Sequence, residues 1–311
     1  GGGGATAQPI QLLGGSLVGT GLVTVANTVN VINSAAISPG LSPGELDIAG
    51  NYQQTASGVL NIELGGYSPG TEFDLVTVTA GGAGGVATLG GTLNVTLING
   101  FSPTNGATFT FLTAVSRVGA FATFNYPSND IGMLLSTNGT SAKVTVSNLK
   151  PVVASPIVSP APITYGAAFN FQFPTNTFSD PDNNALTYAA SGMPAGVTFT
   201  GATRTFSGTP TQAGAFPVAV AATDNGTPSL SVTNTFTITI NKATPTATLA
   251  VNNSPVTYDG TAKAATVAIS ASSVSGAVAN ILTGGTATKT NASTYAVTAD
   301  FVPSDTNYNT L

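Results

Sequence analysis

The sequence predicts an all-β protein in which an N-terminal β-solenoid is followed by two β-sandwich domains. Three observations support this prediction. Only 6% of the residues are charged, while Gly occurs 37 times and Pro 19 times. Thr, Ser, Asn, Gly, Val and Ala dominate the composition, and this mixture favours short strands joined by tight turns. Short apolar segments with alternating polarity recur along the chain, and no segment shows the period of a helix.

Charge excludes several classes of function. The 311-residue chain carries seven basic and twelve acidic residues, for a net charge of −5, and the basic residues are scattered singly. Nucleic-acid binding requires clustered basic residues, and a membrane-surface helix requires a basic amphipathic segment, so we expect neither. No run of about 18 apolar residues is present to span a bilayer.

Cys, His and Trp are all absent. Without Cys the chain has no disulfides, no thiolate nucleophile and few routes to a zinc site, and without His it lacks the commonest general base. The lack of Cys fits a large bacterial surface protein that is exported through an oxidising compartment. The chain begins GGGGATAQP, without Met or a signal peptide, so we expect a mature protein or an excised fragment.

Residues 1–150 are predicted to form the solenoid, because short apolar segments recur there and, after the first, most are spaced by roughly 10 to 18 residues. The alternative is an antiparallel β-sandwich, whose strands recur at a similar spacing. The segments are LVTV at 22, LDI at 46, LNIEL at 60, LVTV at 75, LNVTL at 93, FTFL at 109, FATF at 121 and VTV at 144.

Most of this first segment also has a family likeness. The stretch from SPGLSPGELDIAG to GAFATFNYP resembles the passenger-side end of autotransporter-like and other giant bacterial surface proteins. The resemblance covers residues 36–148 and implies a right-handed β-helix. It implies no chemistry.

Residues 151–242 are predicted to form an immunoglobulin-like (Ig-like) sandwich, entered through the extended, proline-spaced linker KPVVASPIVSPAP. About seven short strands in a segment of this length are typical of such a domain. The sequence from FSDPDNNALTYAA to NTFTITI resembles the dystroglycan-type cadherin-like domain and the related putative-Ig repeats of bacteria. The strands are AFNFQF, ALTYAA, GVTFT, RTFSG, AFPVAVAAT and NTFTITI.

Residues 243–311 resemble the short Ig-like repeats of bacterial surface proteins that carry a YDGT turn. In such repeats a further strand follows the Asn-Tyr-Asn turn, here Asn307–Asn309. We therefore expect an incomplete repeat, cut by truncation, and the alternative is that another molecule supplies the strand at the open edge.

The stretch FSDPDNNALTY, residues 178–188, is the strongest candidate for a metal site. Its resemblance to cadherin-like domains implies that Asp180 and Asp182 form a calcium loop, which Asp224 of AATDNGTP would complete. Calcium prefers six to eight oxygen ligands on such loops. The acidic linker of the cadherin family is replaced by VSNLKPVV, so at most one weak site is expected. The alternative is a plain turn, since Asp, Pro and Asn all favour turns.

No catalytic residues are predicted, and we expect that the chain is not an enzyme. A carboxylate pair on neighbouring coils, such as Glu45 and Asp47, would suit a polysaccharide-cleaving β-helix. No His or Arg cluster supports such a pair, so the acids of the first segment are interpreted as solvated rim charges. These acids are Glu45, Asp47, Glu63, Glu72 and Asp74.

Two other sites are weaker. Tyr52, Tyr67 and Tyr126 could share one solenoid face and bind sugar, but tyrosines in strands are more often buried filler. The glycine-rich stretches GGGG and AGGAGG precede no helix, so we reject a phosphate loop.

The sequence therefore predicts a structural and adhesive segment of an exported, extracellular bacterial surface protein. It would form a rod or stalk that self-associates or contacts neighbouring surface proteins, and it would assemble into a filament, sheath or surface layer. The second hypothesis is a module that binds polysaccharide or a host ligand and is stiffened by calcium. A polysaccharide-active β-helix is the third.

Overall fold

The computed structural model describes residues 8–24, 30–82 and 84–311. Over these residues the chain folds into 29 strands and one 3-10 helix of three residues, Gly201–Thr203, with no α-helix. The all-β prediction is therefore confirmed. The chain divides into two compact units: unit 1 is Gly1–Val152, Phe178–Thr187 and Ala222–Val232, and unit 2 is Val153–Thr177, Tyr188–Ala221 and Thr233–Leu311.

The first part of unit 1 consists of short strands joined by tight corners. In the described residues these are β1 (Ile10–Leu12), β2 (Ser16–Gly19), β3 (Gly21–Thr24), β4 (Asn30–Asn33), β5 (Ala36–Pro39), β6 (Glu45–Ala49), β7 (Asn51–Gln54), β8 (Val59–Leu64), β9 (Leu75–Thr79), β10 (Val86–Leu89), β11 (Thr92–Leu97), β12 (Thr108–Ala114), β13 (Ser116–Gly119), β14 (Thr123–Asn125), β15 (Ile131–Thr137) and β16 (Ser141–Leu149).

These strands form three sheets in which each strand pairs in parallel with the third strand after it. Sheet A has the order β1-β4-β7-β10-β13, sheet B has β2-β5-β8-β11-β14, and sheet C begins β3-β6-β9-β12. The register is regular at the start, since Ile10 pairs with Val31 and Val31 pairs with Tyr52. The pairing is parallel, so the antiparallel-sandwich alternative does not describe this segment.

Sheet C ends differently from the other two sheets. β16 pairs antiparallel with both β12 and β15, so it is inserted between two strands that would otherwise be neighbours. Over the described residues, sheet C therefore has six strands where sheets A and B have five each.

Alternation of side chains explains why the strands stack. In β8, Leu60, Ile62 and Leu64 are fully buried while the residues between them face outward. The equivalent positions of the neighbouring strands bury apolar side chains in the same columns, because side chains in a strand alternate with period two. One continuous apolar core results, which extends from Val31 to Val146.

The strands of sheet A were not predicted, since their inward positions carry polar side chains. Asn33 and Gln54 are buried, and Tyr52 is 1% exposed. The Tyr52 hydroxyl donates to Gln54 Oε1 (2.8 Å), and the Gln54 amide donates to the carbonyl oxygens of Gly58 (3.1 Å) and Thr92 (2.9 Å). These bonds connect carbonyl oxygens of successive layers at the corner between sheets A and B, where the Gly58 oxygen also accepts from the Thr92 N–H (2.9 Å).

The same corner needs glycine. Gly91 has φ +57°, and a Cβ at this position would overlap the carbonyl oxygen of Gly58. Gly91 also accepts hydrogen bonds from the backbone N–H groups of Ala122 (2.7 Å) and Thr123 (3.1 Å). The corner can therefore form only where the backbones of successive layers approach without a side chain between them.

The strands of the second segment follow the predicted positions closely. They are β17 (Val152–Val153), β18 (Ile163–Thr164), β19 (Phe169–Gln172), β20 (Phe178–Ser179), β21 (Thr187–Ser191), β22 (Val197–Thr200), β23 (Thr205–Gly208), β24 (Gly214–Thr223) and β25 (Ser231–Asn241). Three sheets form, with the orders β18-β25-β24-β21, β19-β23-β22 and β17-β20. Aromatic rings fill the space within unit 2, and Phe206 lies 4.5 Å from Phe199 and 5.5 Å from Phe236 between ring centroids.

The predicted linker KPVVASPIVSPAP is extended but is not free. Ile157 is only 6% exposed, and its backbone N–H donates to Asn234 Oδ1 (3.0 Å) within unit 2. The proline spacing identifies an extended backbone correctly, but it does not reveal that this backbone packs against the sandwich.

The third segment forms β26 (Ala247–Val251), β27 (Val267–Ser272), β28 (Gly276–Thr283) and β29 (Val297–Pro303), paired as two antiparallel hairpins. Leu311 exchanges two backbone hydrogen bonds with Phe301, each 3.0 Å. Asp259 of the YDGT turn accepts from the Thr261 N–H (2.9 Å) and forms an ion pair with Lys263. Both interactions fix the local turn.

Candidate functional site

The three predicted metal ligands lie near the end of β16, on two loops that belong to unit 1. Asp180 and Asp182 lie on loop 178–187, and Asp224 begins loop 222–232. The structure therefore brings both loops to the same end of one strand, as the resemblance to cadherin-like domains implies. In the structure, each carboxylate accepts hydrogen bonds from backbone N–H groups, which is a different role from metal binding.

Asp224 is 4% exposed and accepts three hydrogen bonds. Its Oδ1 accepts from the backbone N–H groups of Gly226 and Leu230, both at 3.0 Å, and its Oδ2 accepts from the Asn148 amide at 3.0 Å. A buried carboxylate is stable only when donors replace its lost water, and here three donors do so. Asp224 thus shapes its own loop and fastens it to β16.

Asp180 and Asp182 act in the neighbouring loop. Asp180 Oδ1 accepts from the backbone N–H groups of Asp182 (2.8 Å) and Asn184 (3.0 Å), which is the turn role that the residue types favour. Asp182 Oδ2 accepts from the backbone N–H of Leu149 at 2.7 Å. One aspartate therefore builds the turn, and the other attaches it to the end of β16.

Asn148 is the residue that sequence reasoning missed. It is fully buried, donates to Asp224 Oδ2 and to the Pro228 carbonyl oxygen (2.8 Å), and accepts from the Asn184 amide (2.7 Å). A Cβ on Gly226 would overlap its amide group, so the loop approaches at its glycine. We name Asn148, Asp182, Asn184 and Asp224 the junction cluster. In the sequence, the only sign of this role is that Asn148 lies in VSNLKPVV, the segment that replaces the acidic linker of the cadherin family.

The junction cluster does not fit a calcium ion as it stands. Among residues 8–24, 30–82 and 84–311, no group of three or more acidic, Cys or His side chains is placed to hold a metal. Five of the carboxylate contacts above come from backbone N–H donors, which compete with a cation for the same oxygens. Asp180 Oδ2 is buried without a partner, but one oxygen does not make a coordination sphere. Calcium binding at Asp180, Asp182 and Asp224 stays a prediction.

Asp74 corrects the interpretation of the acids as rim charges. It is 1% exposed, and its carboxylate accepts from the backbone N–H groups of Gly44 and Glu63, both at 2.8 Å. Burial raises the pKa of the Asp74 carboxyl to about 6, against the lowering effect of these two hydrogen bonds. By contrast, Glu45 and Asp47 lie on the outward face of β6, as the strand pattern predicts.

The raised pKa of Asp74 predicts a pH-dependent stability. The folded state holds the Asp74 proton more tightly than the unfolded chain, so this contribution is complete below pH 4 and is lost as the pH rises through about 6. We expect the free energy of unfolding of unit 1 to fall across this window, by about 3 kcal/mol at most from this group. Denaturant unfolding followed by circular dichroism from pH 4 to 7 would measure the slope.

Asp74→Asn provides the test, because it stays neutral at every pH. The variant is expected to lose the downward slope, while the matched control Asp47→Asn, on the outward face of β6, keeps it. An unchanged slope in Asp74→Asn would show that another group controls the pH dependence.

The three tyrosines do not share a face. Tyr52 points into the core of sheet A, and burial raises its pKa. Tyr67 is 53% exposed and packs edge-on against Phe101 at 5.1 Å, in the loop between β8 and β9. Tyr126 follows β14 and packs beside Phe124 at 4.9 Å. A sugar site formed by all three tyrosines is therefore not supported, and the burial of Tyr52 fits the alternative that tyrosines in strands fill the core. The glycines at 1–4 lie outside the described residues, and in the described part of 80–85 no helix follows.

Unit 2 contains a second cluster of joining contacts. The Asn307 side chain accepts from the backbone N–H of Ala213 (2.7 Å), and the Tyr165 and Tyr308 rings meet edge to face at 5.5 Å. Tyr308 also forms an isolated bridge with Ala243. These contacts connect residues of the second segment to the turn near the end of the third.

In the part of the chain that the structure describes, no helix has the length and apolar character needed to cross a bilayer.

Several solved structures resemble parts of the chain. One is a "putative alpha-galactosidase/melibiase" from Bacteroides fragilis (22% identity, TM-score 0.23), where the match covers 29% of this chain and 17% of that one. Another is the protocadherin gamma B4 extracellular domain (15% identity, TM-score 0.29), with 56% and 41% covered. A third is protocadherin gamma B7 cadherin domains 1–4 (11% identity, TM-score 0.29), with 70% and 66% covered. We infer no function from these likenesses.

The comparison with protein families is more informative. No curated protein matches the chain. Residues 150–241 match the family model described as "Putative Ig domain". The match covers less than half of the chain and coincides with the segment in which alternating strands predict a sandwich. Residues 150–241 are therefore an Ig-like domain.

Proposed function

We propose that this chain is a structural and adhesive segment of a large exported bacterial surface protein. In this proposal, residues 1–150 form a right-handed β-solenoid, residues 151–242 form the Ig-like domain, and residues 243–311 form a second Ig-like repeat. The segment acts outside the cell as a stalk that contacts neighbouring surface proteins or copies of itself.

The observation that carries the proposal is the continuous core of the parallel stack. Apolar columns from Val31 to Val146 hold successive layers in register. Because each layer buries its inward face on the next, such a stack resists separation of its layers along its length. This is the property that a stalk requires.

Two sets of joining contacts support the same role. The junction cluster fastens two loops to the end of β16, and all of its side chains are partly or fully buried. Inside unit 2, the contacts around Tyr165, Asn307 and Tyr308 connect the second segment to the turn near the end of the third. Buried, fully paired hydrogen bonds fix a single geometry, because any other arrangement leaves donors unsatisfied.

We propose no catalytic step. The outward acid Glu45 accepts from the Thr77 hydroxyl (3.0 Å), and Glu72 accepts from the backbone N–H groups of Tyr67 (3.0 Å) and Ser68 (2.9 Å). These contacts give both carboxylates a local structural role. Incubation with acidic and neutral polysaccharides is expected to release no reducing ends.

Electron microscopy of the purified chain, with small-angle scattering in solution, tests the scaffold role. We expect elongated particles or fibres. A maximum dimension typical of a compact globule of 311 residues would contradict the proposal.

Calcium is tested separately. Because Asp180 Oδ1, Asp182 Oδ2 and both oxygens of Asp224 accept from N–H donors, we expect thermal unfolding to be the same in EDTA and in excess calcium. Differential scanning calorimetry measures both conditions on one sample. A rise of the transition in calcium that Asp224→Asn removes would establish the predicted metal site instead.

A further inference from the structure

An open groove of about 1080 Å³ runs over the outward face of sheet B. Its floor is formed by outward side chains of β5, β8, β11 and β14, and residues of the loops that follow β5 and β14 complete its lining. The floor and lining belong entirely to unit 1. No residue of the groove takes part in the junction cluster.

The floor of the groove is a ladder of amides. Asn125 Nδ2 donates to Asn94 Oδ1 (2.9 Å), Asn94 Nδ2 donates to Asn61 Oδ1 (2.9 Å), and Asn61 Nδ2 donates to the Ser38 hydroxyl (3.0 Å). The backbone register places the three asparagines directly opposite one another. The ladder therefore orients every amide in the same direction along the groove.

The ladder leaves hydrogen-bonding capacity unused. An asparagine amide has two N–H donors and two acceptor lone pairs, and the ladder uses one donor and one acceptor of Asn61 and of Asn94. The remaining donors and acceptors repeat at the strand spacing of about 4.8 Å. A hexose unit in an extended glycan advances by a similar distance, and its hydroxyls also both donate and accept.

Apolar side chains flank the amides. Leu41, which is 84% exposed, follows β5, and Tyr126 follows β14. β8 and β11 separate these two strands, so β5 and β14 lie about 14 Å apart across the sheet. Phe124 supports the Tyr126 ring. Aromatic and aliphatic groups of this kind pack on the apolar faces of sugar rings, while the amides bind the hydroxyls.

Charge restricts the class of ligand. The ionisable residues of the lining are Glu63 and Asp130, both acidic, and Asp130 is paired with Lys150 at 3.0 Å. A polyanion would be repelled, which disfavours uronic-acid polymers and nucleic acids. A peptide strand that adds to a sheet pairs through the backbone of an edge strand, whereas the ladder presents side-chain amides on the face of sheet B, from its edge strand β14 inward to β8.

We propose that this groove binds a neutral oligosaccharide in extended form, with one sugar ring above each rung of the ladder Asn61–Asn94–Asn125. The inference gives the proposed adhesive role a ligand class. It depends on the local geometry of sheet B and not on whether the whole segment forms a stalk.

The test uses the full chain and four defined neutral probes: cello-, xylo-, manno- and chito-oligosaccharides, each titrated by calorimetry. Oligogalacturonate is the acidic comparison. At least one neutral series is expected to bind, with affinity rising from the disaccharide to longer members. Asn94→Ala and Tyr126→Ala are each expected to weaken that binding by about tenfold. The matched control is Gln53→Ala, an outward amide of sheet A that bonds to Asn30, and it is expected to bind as the unmodified chain does.

Three results would overturn the proposal: no binding of any neutral series, binding that Asn94→Ala and Tyr126→Ala leave unchanged, or equal binding of oligogalacturonate. Asn94→Thr keeps a strand-forming residue at the central rung, so it separates loss of the ladder from loss of folding, which circular dichroism would detect. Compact particles that still bind the oligosaccharide would contradict the stalk and leave the groove assigned.

Discussion

Replacing Asp224 with alanine is expected to destabilise unit 1 by about 3 kcal/mol. The carboxylate is 4% exposed and accepts from Gly226, Leu230 and Asn148. Its removal leaves three buried donors without partners, and each unpaired donor costs free energy comparable to a lost hydrogen bond. Chemical denaturation followed by circular dichroism gives the change in stability. Hydrogen exchange of loops 178–187 and 222–232 should show where the protection is lost.

The control for Asp224→Ala is Asp130→Ala. The Asp130 side chain is 67% exposed and forms a surface ion pair with Lys150, so its loss should change stability by less than about 1 kcal/mol. A double-mutant cycle with Asn148→Ala should give a coupling energy, since the two side chains share a buried hydrogen bond. Additive effects would mean that the contact between Asn148 and Asp224 contributes little, and would remove the main support for the junction cluster.

Gly91→Ala is expected to destabilise the stack by about 3 kcal/mol or more. Alanine at this position would have to keep the left-handed backbone conformation at φ +57°. Its Cβ would also overlap the Gly58 carbonyl oxygen. Relief of that overlap would separate two layers at the corner, where the Thr92 N–H donates to the same oxygen at 2.9 Å. The shift of the thermal transition measures the loss.

Gly100→Ala separates strain from overlap. Gly100 also has a positive φ, +70°, but a Cβ there meets no atom within 4 Å. This control should therefore cost only the left-handed penalty of about 1 to 2 kcal/mol. Equal losses in the two variants would show that the layers can separate at the Gly91 corner without cost.

Most strands of sheets B and C could be predicted from sequence because their inward positions are apolar, although β2, β5 and β15 were not among the predicted segments. LNIEL and LNVTL show the alternation of a half-buried strand plainly, and they became β8 and β11. Sheet A could not be predicted in the same way. Its inward positions include Asn33, Tyr52 and Gln54, whose burial depends on backbone partners in neighbouring layers. A pattern of apolar residues carries no information about such partners.

The candidate site shows the same limit. The resemblance to cadherin-like domains placed Asp180, Asp182 and Asp224 on two loops, and the structure brings these loops to one strand end. Asn148, which bonds to Asp224 and Asn184, lies in the preceding segment, and no local motif links it to residues so far along the chain. Asp74 was misjudged because its burial comes from the backbone of Gly44, in an earlier layer. Contacts between residues of different layers depend on the tertiary structure, so no local sequence pattern predicts them.

The hairpin of β15 and β16 has a consequence for how copies of this chain can meet. Over the described residues, sheet C has one strand more than sheets A and B, so the three sheets do not end at the same layer. If all three sheets ended at the same layer, the last strand of each could pair with a strand of another molecule. Layers could then be added without limit, as in fibrils. Because sheet C extends further, another molecule cannot pair its strands with all three sheets at once. Growth by addition of layers at this end of the stack is therefore disfavoured.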